Sequence, residues 1–184
     1  MIQKAIQYAL VAHDLQVRKG TIIPYIFHPL EVGTIIAKCD QDATDLICAG
    51  ILHDTVEDTG TSHELLEKLF GSRIADLVKS ETEDKTKSWR ERKQATIEHL
   101  KSASEEVKII TCADKLSNMR DIAREHGPCR DDGVFLKFNA GKDQLAWYYR
   151  SLVDGLSSLA EDTRFAPMYR EFQEAVARVF GCVS

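Results

Sequence analysis

The segment Leu52–Thr59 places metal-ligating and acid-base side chains close together. It contains one imidazole and three carboxylates within the six residues from 53 to 58. On a helix, His53 and Glu57 lie one turn apart, and Asp54 and Asp58 have the same spacing. Such a cluster suits the binding of a divalent cation and proton transfer by a carboxylate. The alternative interpretation is that these acids simply face water at the end of a helix.

The position of the acids within the predicted helix favours the metal site. Hydrophobic spacing predicts that this helix runs from Asp42 to Asp58 and ends at Thr59-Gly60. The three acids then lie in its last two turns, where the negative end of the helix dipole disfavours each carboxylate by roughly 0.3–1 kcal/mol. A bound dication would reverse that penalty, because it would be the largest local charge.

Two residues elsewhere complete a plausible ligand set. His28 precedes Pro29 at a predicted helix start, where a lone histidine is more often an N-cap or a structural group. Asp114 interrupts a helix that is otherwise rich in core residues, so it must be paired or metal-bound if it is buried. Together with His53 and Asp54, these residues offer two imidazoles and two carboxylates. That set suits Mn²⁺, Fe²⁺ or Zn²⁺, and the carboxylates favour Mn²⁺.

The four candidate ligands and the segments around them resemble a known family. The order His28, His53-Asp54, Asp114 is similar to that of the HD superfamily of metal-dependent phosphohydrolases. Longer segments resemble one branch, the hydrolase domain of RelA/SpoT-type alarmone enzymes and their small single-domain relatives. The matching segments are Arg18–Gly20, Pro24–Pro29, Leu52–Thr59, Phe70-Gly71, Glu83–Thr86, Arg92-Lys93 and Ala113–Arg120. They follow one another in order over most of the chain, which makes the resemblance specific.

The resemblance implies an all-α fold and a reaction of the stringent response. The fold would be a single helical bundle of the HD type. The reaction would be removal of the 3′-pyrophosphate from guanosine tetra- or pentaphosphate (ppGpp or pppGpp), giving GDP or GTP and pyrophosphate. The implied cofactor is one divalent metal, with Mn²⁺ favoured, and its ligands would be His28, His53, Asp54 and Asp114.

The resemblance also implies roles in catalysis and substrate binding. Glu57 and Asp58 would position and deprotonate the attacking water. The residues that fall where the family contacts the nucleotide or its phosphates are Arg18, Lys19, Asn118 and Lys85. The chain is acidic overall but contains one local basic cluster, which comprises Lys85, Lys87, Arg90, Arg92 and Lys93. These side chains could bind the phosphates of a substrate, or they could form a solvated helix face.

Departures from the family pattern leave other functions open. The loop residues Thr21-Ile22-Ile23 and the segment Trp147–Arg150 do not follow the expected pattern, and both bear on nucleoside binding. One alternative is an HD phosphohydrolase that acts on a nucleoside monophosphate or on the 2′-phosphate of NADPH. Another is a nucleotide-sensing module without catalysis, although the intact acid pair argues against it. An oxidative di-iron HD enzyme would need additional histidine ligands, for which no arrangement is evident.

Hydrophobic spacing predicts helices nearly throughout and no strand of any length. Capping boxes are predicted at Thr61–Glu64 and Ser88–Glu91. Ser104 should begin the helix that carries Asp114, which Gly127-Pro128 should end. The other predicted helices cover Gln3–Leu15, a stretch from His28-Pro29, a stretch ending at Phe70-Gly71, a short one around Ile74–Val78, Leu136–Ala160 and Pro167–Phe180. The prediction is one all-α domain over residues 1–184.

Composition limits the classes of protein. The 184 residues are 43% hydrophobic and 29% charged, which is ordinary for one soluble domain. The net charge of −5 argues against a nucleic-acid partner, so the expected partner is a small nucleotide substrate. No apolar run approaches a membrane span and no secretory signal begins the sequence, which predicts a cytoplasmic protein without membrane contact. Homo-oligomer formation is left open.

The five cysteines indicate a reducing compartment. They are scattered, and no C-x-x-C pair suggests a zinc ribbon or a redox site. Cys48 and Cys112 lie in apolar-periodic stretches and are predicted to be small core residues.

Overall fold

The computed structural model describes residues 1–129 and 131–181. Over this part of the chain the structure is all-α, as predicted, and its extended contacts amount to one isolated bridge between Val17 and Pro24. The α-helices are α1 Ile2–Ala12, α2 Phe27–Cys39, α3 Thr44–Leu52, α4 Thr55–Asp58, α5 His63–Phe70, α6 Ser72–Glu81, α7 Trp89–Leu100, α8 Glu105–His126, α9 Lys142–Gly155 and α10 Ala166–Phe180. Short 3-10 helices cover Asp132–Lys137 and Ser157–Ala160.

Helix α8 is the centre of the bundle. It packs against α2, α3, α6 and α10. Its inward face includes Ile110, Ala113 and Leu116, all of which are almost completely buried. One hydrophobic cluster extends from Ala5 on α1 to Val179 on α10. Burying a large aliphatic side chain contributes about 1.5–3 kcal/mol, so this shared core fixes how α2, α3 and α8 face one another.

Two glycines let α2 and α3 approach each other closely. A Cβ atom at Gly33 of α2 would collide with Cγ1 of Ile51, and one at Gly50 of α3 would lie 2.7 Å from Cδ1 of Ile36. Only glycine fits such a backbone contact without displacing its neighbours. The close contact brings the start of α2, with His28, towards the end of α3.

The predicted continuous helix over Asp42–Asp58 is wrong. The structure has two helices, α3 and α4, joined by a turn at His53-Asp54. Nδ1 of His53 donates to the carbonyl of Gly50 at 2.9 Å, and Oγ1 of Thr55 donates to the carbonyl of Leu52 at 2.7 Å. These side chains compete for carbonyl oxygens that a continuous helix would use. The three acids therefore do not lie in the last turns of a long helix and are not exposed to the negative end of its dipole. Asp54 precedes α4, a separate one-turn helix that contains Glu57 and Asp58.

The helix starts that rest on capping chemistry are largely confirmed. Ser88 and Glu91 form the predicted capping box: the Ser88 N–H donates to Oε2 of Glu91 at 2.9 Å. Ser104 caps α8, as predicted. The predicted box over residues 61–64 is wrong, because Ser62 is the N-cap and its Oγ accepts from the N–H of Leu65 at 3.2 Å.

Three other predicted boundaries differ from the structure. Helix α1 ends at Ala12, three residues before the predicted end. Helix α2 begins at Phe27, which makes Pro29 its third residue. The stretch predicted as one helix over residues 136–160 contains α9, which starts only after Gly141, and a separate 3-10 helix. Hydrophobic periodicity locates a helix better than it locates its ends.

Among the described helices, none is both long enough and apolar enough to cross a bilayer.

Cys48 and Cys112 are fully buried in the core, as predicted. Cys182 lies outside the described residues.

Candidate active site

The four predicted metal ligands converge where α2, α8 and the α3–α4 turn meet. Nε2 of His28 lies 3.1 Å from Oδ1 of Asp114 and 3.7 Å from Oδ2 of Asp54. Nε2 of His53 lies 2.8 Å from Oδ2 of Asp54 and 3.7 Å from Oδ1 of Asp114. Ligand atoms of His28, His53 and Asp114 all lie within 4.8 Å of one another. The structure therefore brings together all four side chains named from the sequence.

Hydrogen bonds at Nδ1 turn both imidazoles so that Nε2 faces the cluster. Nδ1 of His53 donates to the carbonyl of Gly50, and Nδ1 of His28 lies 2.9 Å from Oγ of Ser117. Ser117 in turn donates to Oε2 of Glu31 at 2.8 Å, so its oxygen is free to accept from His28. Such partners fix the ring orientation of metal-ligating histidines.

The cluster fits a divalent cation. Nε2 of His53 is buried and has no hydrogen-bond partner in the part of the chain that is described, although a carboxylate oxygen of Asp54 faces it. Burial lowers the pKa of His53, but the carboxylates of Asp54 and Asp114 outweigh it and raise the pKa to about 10. Nε2 of His53 and the carboxylate oxygens around it are therefore donor atoms that a cation can bind together.

Neighbouring groups keep both ligand carboxylates ionised. The hydroxyl of Tyr25 donates to Oδ2 of Asp54. Burial raises the pKa of Asp54, yet His53 dominates and holds it well below its usual range. Asp114 accepts from Nδ2 of Asn118 at 2.7 Å and pairs with Lys115. Burial opposes ionisation of Asp114, but Lys115 and the histidines lower its pKa well below the ordinary value. Both carboxylates are therefore ready to bind a cation.

The two predicted catalytic acids occupy different positions on α4. Glu57 lines the same cavity of about 200 Å³ as the four ligands, and its Oε2 accepts from the Glu83 N–H at 3.0 Å. Burial raises the pKa of Glu57, which suits a group that takes a proton from water. Asp58 is exposed and lies outside this cavity lining, where its Oδ1 pairs with Nζ of Lys85 at 2.6 Å. Glu57 is thus the better placed of the pair to act as a base.

A second cavity of about 310 Å³ adjoins the metal cluster. It is lined by three of the four predicted substrate residues, Arg18, Lys19 and Asn118. Asn118 and Tyr25 line both cavities, so the two lie side by side. Aromatic side chains of α7 and α9 also line it, namely Trp89, Tyr148 and Tyr149. Cations and stacking platforms together suit a nucleotide.

Lys85, the fourth predicted substrate residue, does not line this cavity. Its Nζ bonds Asp58 and the carbonyl of Glu57, at 2.6 and 2.9 Å. Other members of the predicted basic cluster are also engaged, since Arg92 and Lys93 both pair with Glu83. Much of the positive charge of this cluster therefore holds the α6–α7 loop against α4 and α7.

Sequence reasoning missed several residues of the site. Tyr25, Glu81 and Lys115 all line the metal cavity. Tyr25 could have been noticed because it lies three residues before His28, and Lys115 because it follows Asp114. Tyr148 belongs to a segment that did not match the family pattern, so no sequence signal pointed to it.

Glu81 carries a pH-dependent effect on stability. It lies at the end of α6 and accepts from Oγ1 of Thr111 at 2.8 Å. Burial raises its pKa from 4.5 to about 7, although Lys115 opposes the shift. Because the folded state holds this proton more tightly than the unfolded state, the contribution of Glu81 to stability falls as pH rises from 4.5 through 7.

We expect Glu81→Gln to remove this loss of stability at high pH in the metal-free protein. The variant should melt close to wild type at pH 5 and at a higher Tm than wild type at pH 8, because the amide does not ionise. Calorimetry in the presence of a chelator measures the difference, with Glu67→Gln on the exposed face of α5 as the control. Parallel Tm curves for wild type and Glu81→Gln would contradict the expectation.

Fold and site together define a hydrolase of the HD class. Residues 5–133 match the HD domain family, which is more than half of the chain, so the chain belongs to that family. It is similar to the guanosine-3′,5′-bis(diphosphate) 3′-pyrophosphohydrolase MESH1 of Xenopus tropicalis, with 40% identity over 127 residues that cover 67% of this chain and 70% of that protein. The GTP pyrophosphokinase rsh of Brucella ovis is 33% identical over 138 residues, which cover 72% of this chain and 18% of that longer protein.

Solved structures show the same fold over nearly the whole chain. A metazoan ortholog of SpoT that hydrolyses ppGpp matches with a TM-score of 0.79 and 31% identity, covering 98% of this chain and 96% of that one. The protein lmo0812 from Listeria monocytogenes EGD-e matches with a TM-score of 0.77 and 33% identity, covering 86% and 97% of the two chains. The family resemblance identified from the sequence is confirmed.

Proposed function

We propose that this protein hydrolyses ppGpp or pppGpp at the 3′-pyrophosphate, giving GDP or GTP and pyrophosphate. The observation that carries the proposal is that a cavity of about 310 Å³, lined by Arg18, Lys19 and Asn118, adjoins the cavity of the proposed metal ligands and shares Asn118 and Tyr25 with it. Similarity to MESH1 and to the SpoT ortholog supports the substrate. Residues 1–184 would act as one domain, and the free thiols of Cys48 and Cys112 favour a cytoplasmic location.

The proposed cofactor is one Mn²⁺ ion held by His28, His53, Asp54 and Asp114. Two imidazoles and two carboxylates form a mixed nitrogen and oxygen donor set that suits this ion. When bound, the cation lowers the pKa of water and polarises a phosphoryl oxygen. The hydrogen bonds to Gly50 and Ser117 keep both Nε2 atoms directed at the cluster.

Glu57 is proposed to be the general base. Its side chain lines the metal cavity, and the Glu83 N–H holds one of its oxygens. Hydrolysis adds the oxygen of water to phosphorus, breaks the bond to the ribose 3′-oxygen and gives that oxygen a proton. Glu57 takes up a proton from the attacking water, and burial, which raises its pKa, makes it a stronger base for this step. Asp58 is proposed to assist through its ion pair with Lys85.

The proposed nucleotide contacts follow from the lining of the larger cavity. Arg18 and Lys19 provide positive charge for phosphate oxygens, and Asn118 lies where the two cavities meet. Trp89 offers a ring on which a base can stack, and the buried ring of Tyr148 packs against it. Lys85 is proposed to contact the phosphates from the side of the site where its Nζ pairs with Asp58.

A substrate panel with Mn²⁺ tests the proposal. The metal-loaded protein is incubated with ppGpp, GMP, AMP and NADPH, and the products are separated by ion-exchange chromatography. We expect GDP and pyrophosphate from ppGpp. If another nucleotide is hydrolysed while ppGpp stays intact, the protein is a different HD phosphohydrolase. If ppGpp binds and remains unchanged, the protein is a sensor.

A further inference from the structure

Helix α4, which carries the proposed base Glu57, is held in place from outside. Its four residues are too few to form a stable helix alone, and its last carbonyl groups have no partner within the helix. Two side chains donate to these carbonyls: Nζ of Lys85 to Glu57 and Nε2 of Gln16 to Asp58, each at 2.9 Å. These two anchors position the backbone of α4, and the Glu83 N–H holds the carboxylate of Glu57.

Gln16 is itself fixed by His13. Nδ1 of His13 lies 2.8 Å from Oε1 of Gln16, and because the amide oxygen can only accept, His13 donates. That bond leaves the amide NH₂ of Gln16 directed at Asp58. His13 is only 3% exposed, and its Nε2 is buried without a hydrogen-bond partner among the described residues. An aliphatic residue would fill this space without an unpaired nitrogen, so packing alone does not account for a histidine here.

The backbone between these two residues is also unusual. Leu15 has φ +62°, in the left-handed region that bulky residues avoid. Its side chain is 93% exposed and gains no packing in return. The conformation turns the chain so that the Gln16 N–H donates to the carbonyl of His13 at 3.1 Å. Strain of this kind concentrates at functional positions.

His13 also contacts the metal side of the site. Its ring centroid lies 5.0 Å from that of Tyr25, whose hydroxyl donates to the ligand Asp54. The ring of Tyr25 lies 5.7 Å from that of His28. One buried histidine therefore holds Gln16, an anchor of α4, and packs against Tyr25 beside the metal side of the site.

We infer that His13 and Gln16 are positioning residues for hydrolysis, which act on the reaction through α4 and Glu57 without touching the substrate. The inference rests on the proposed hydrolase function. It gives a role to the turn that follows α1, which carries none of the proposed metal ligands.

Gln16→Met tests the inference because it keeps the side-chain length and removes both hydrogen bonds. We expect kcat for ppGpp to fall by about tenfold, equivalent to about 1.4 kcal/mol in the barrier, with KM and Mn²⁺ affinity close to wild type. His13→Leu should show the same loss. His13→Asn should recover most of it, because the amide nitrogen of asparagine can replace the Nδ1 donor. The control Leu15→Asn tolerates a positive φ and should leave kcat unchanged.

A double-mutant cycle separates positioning from a general loss of structure. In a Glu57→Gln background, Gln16→Met should lower the residual kcat by less than about twofold, because its effect passes through Glu57. A full tenfold loss in that background, a change confined to KM or metal affinity, or no recovery in His13→Asn would overturn the inference. Wild-type turnover tests the substrate separately: if another nucleotide is hydrolysed, the same variants are compared on that nucleotide.

Discussion

Asp54→Ala is expected to abolish both metal binding and hydrolysis. Oδ2 of Asp54 lies within 3.7 Å of Nε2 of both His28 and His53, so its removal takes one carboxylate out of the centre of the cluster. Losing an outer partner of a ligand already lowers metal affinity about 10–100-fold, so losing the ligand itself should exceed about 100-fold. Mn²⁺ titration of chelator-treated protein by electron paramagnetic resonance measures the affinity, and ppGpp hydrolysis is assayed in parallel.

Asp76→Ala is the matched control for this variant. Asp76 is another aspartate beside a histidine, His63, but its side chain is 68% exposed and lies away from the cluster. This change should leave Mn²⁺ affinity and turnover as in wild type. An Asp54→Ala protein that binds Mn²⁺ with wild-type affinity would remove Asp54 from the ligand set.

Glu57→Gln is expected to keep the metal and lose turnover. The amide oxygen can still accept from the Glu83 N–H, so the local structure should persist. The amide cannot take a proton from water, and general-base catalysis contributes about 10²–10⁴-fold. We therefore expect kcat to fall by about 10²–10⁴-fold, while Mn²⁺ affinity and the KM for ppGpp change little. Steady-state kinetics and the same Mn²⁺ titration measure the two effects separately.

Glu64→Gln on the exposed side of α5 controls for the loss of one surface carboxylate. It should behave as wild type in both assays. Full turnover in Glu57→Gln would eliminate the role of Glu57 as base. Loss of Mn²⁺ from that variant would instead make Glu57 a ligand.

The sequence predicted four side chains that the structure brings together, and much of the helix order. These proposed ligands could be found because their types and order carry the chemistry. The starts of α7 and α8 could be found because Ser88 and Ser104 cap them through local hydrogen bonds. For the two helix starts the deciding contacts lie within a few residues of one another, whereas the four side chains of the cluster were found from their residue types and order.

The features that were missed depend on side-chain bonds that hydrophobic periodicity does not report, some of them local and some between distant residues. The break between α3 and α4 follows from side-chain bonds by His53 and Thr55, which periodicity does not reveal. The pairing of Lys85 with Asp58 and of Lys93 with Glu83 becomes visible only once the α6–α7 loop folds back. The basic cluster therefore looked free in the sequence although much of it is paired.

The contact between α2 and α3 at Gly33 and Gly50 affects the distance between His28 and His53 as well as the packing of the two helices. His28 lies at the start of one helix and His53 just beyond the end of the other, with ring centroids 5.1 Å apart. Because bare backbone sets the spacing of the helices, it also sets the distance between the two imidazoles. In the proposed metal centre, the size of ion that fits between the imidazoles would thus depend on two residues that carry no functional group.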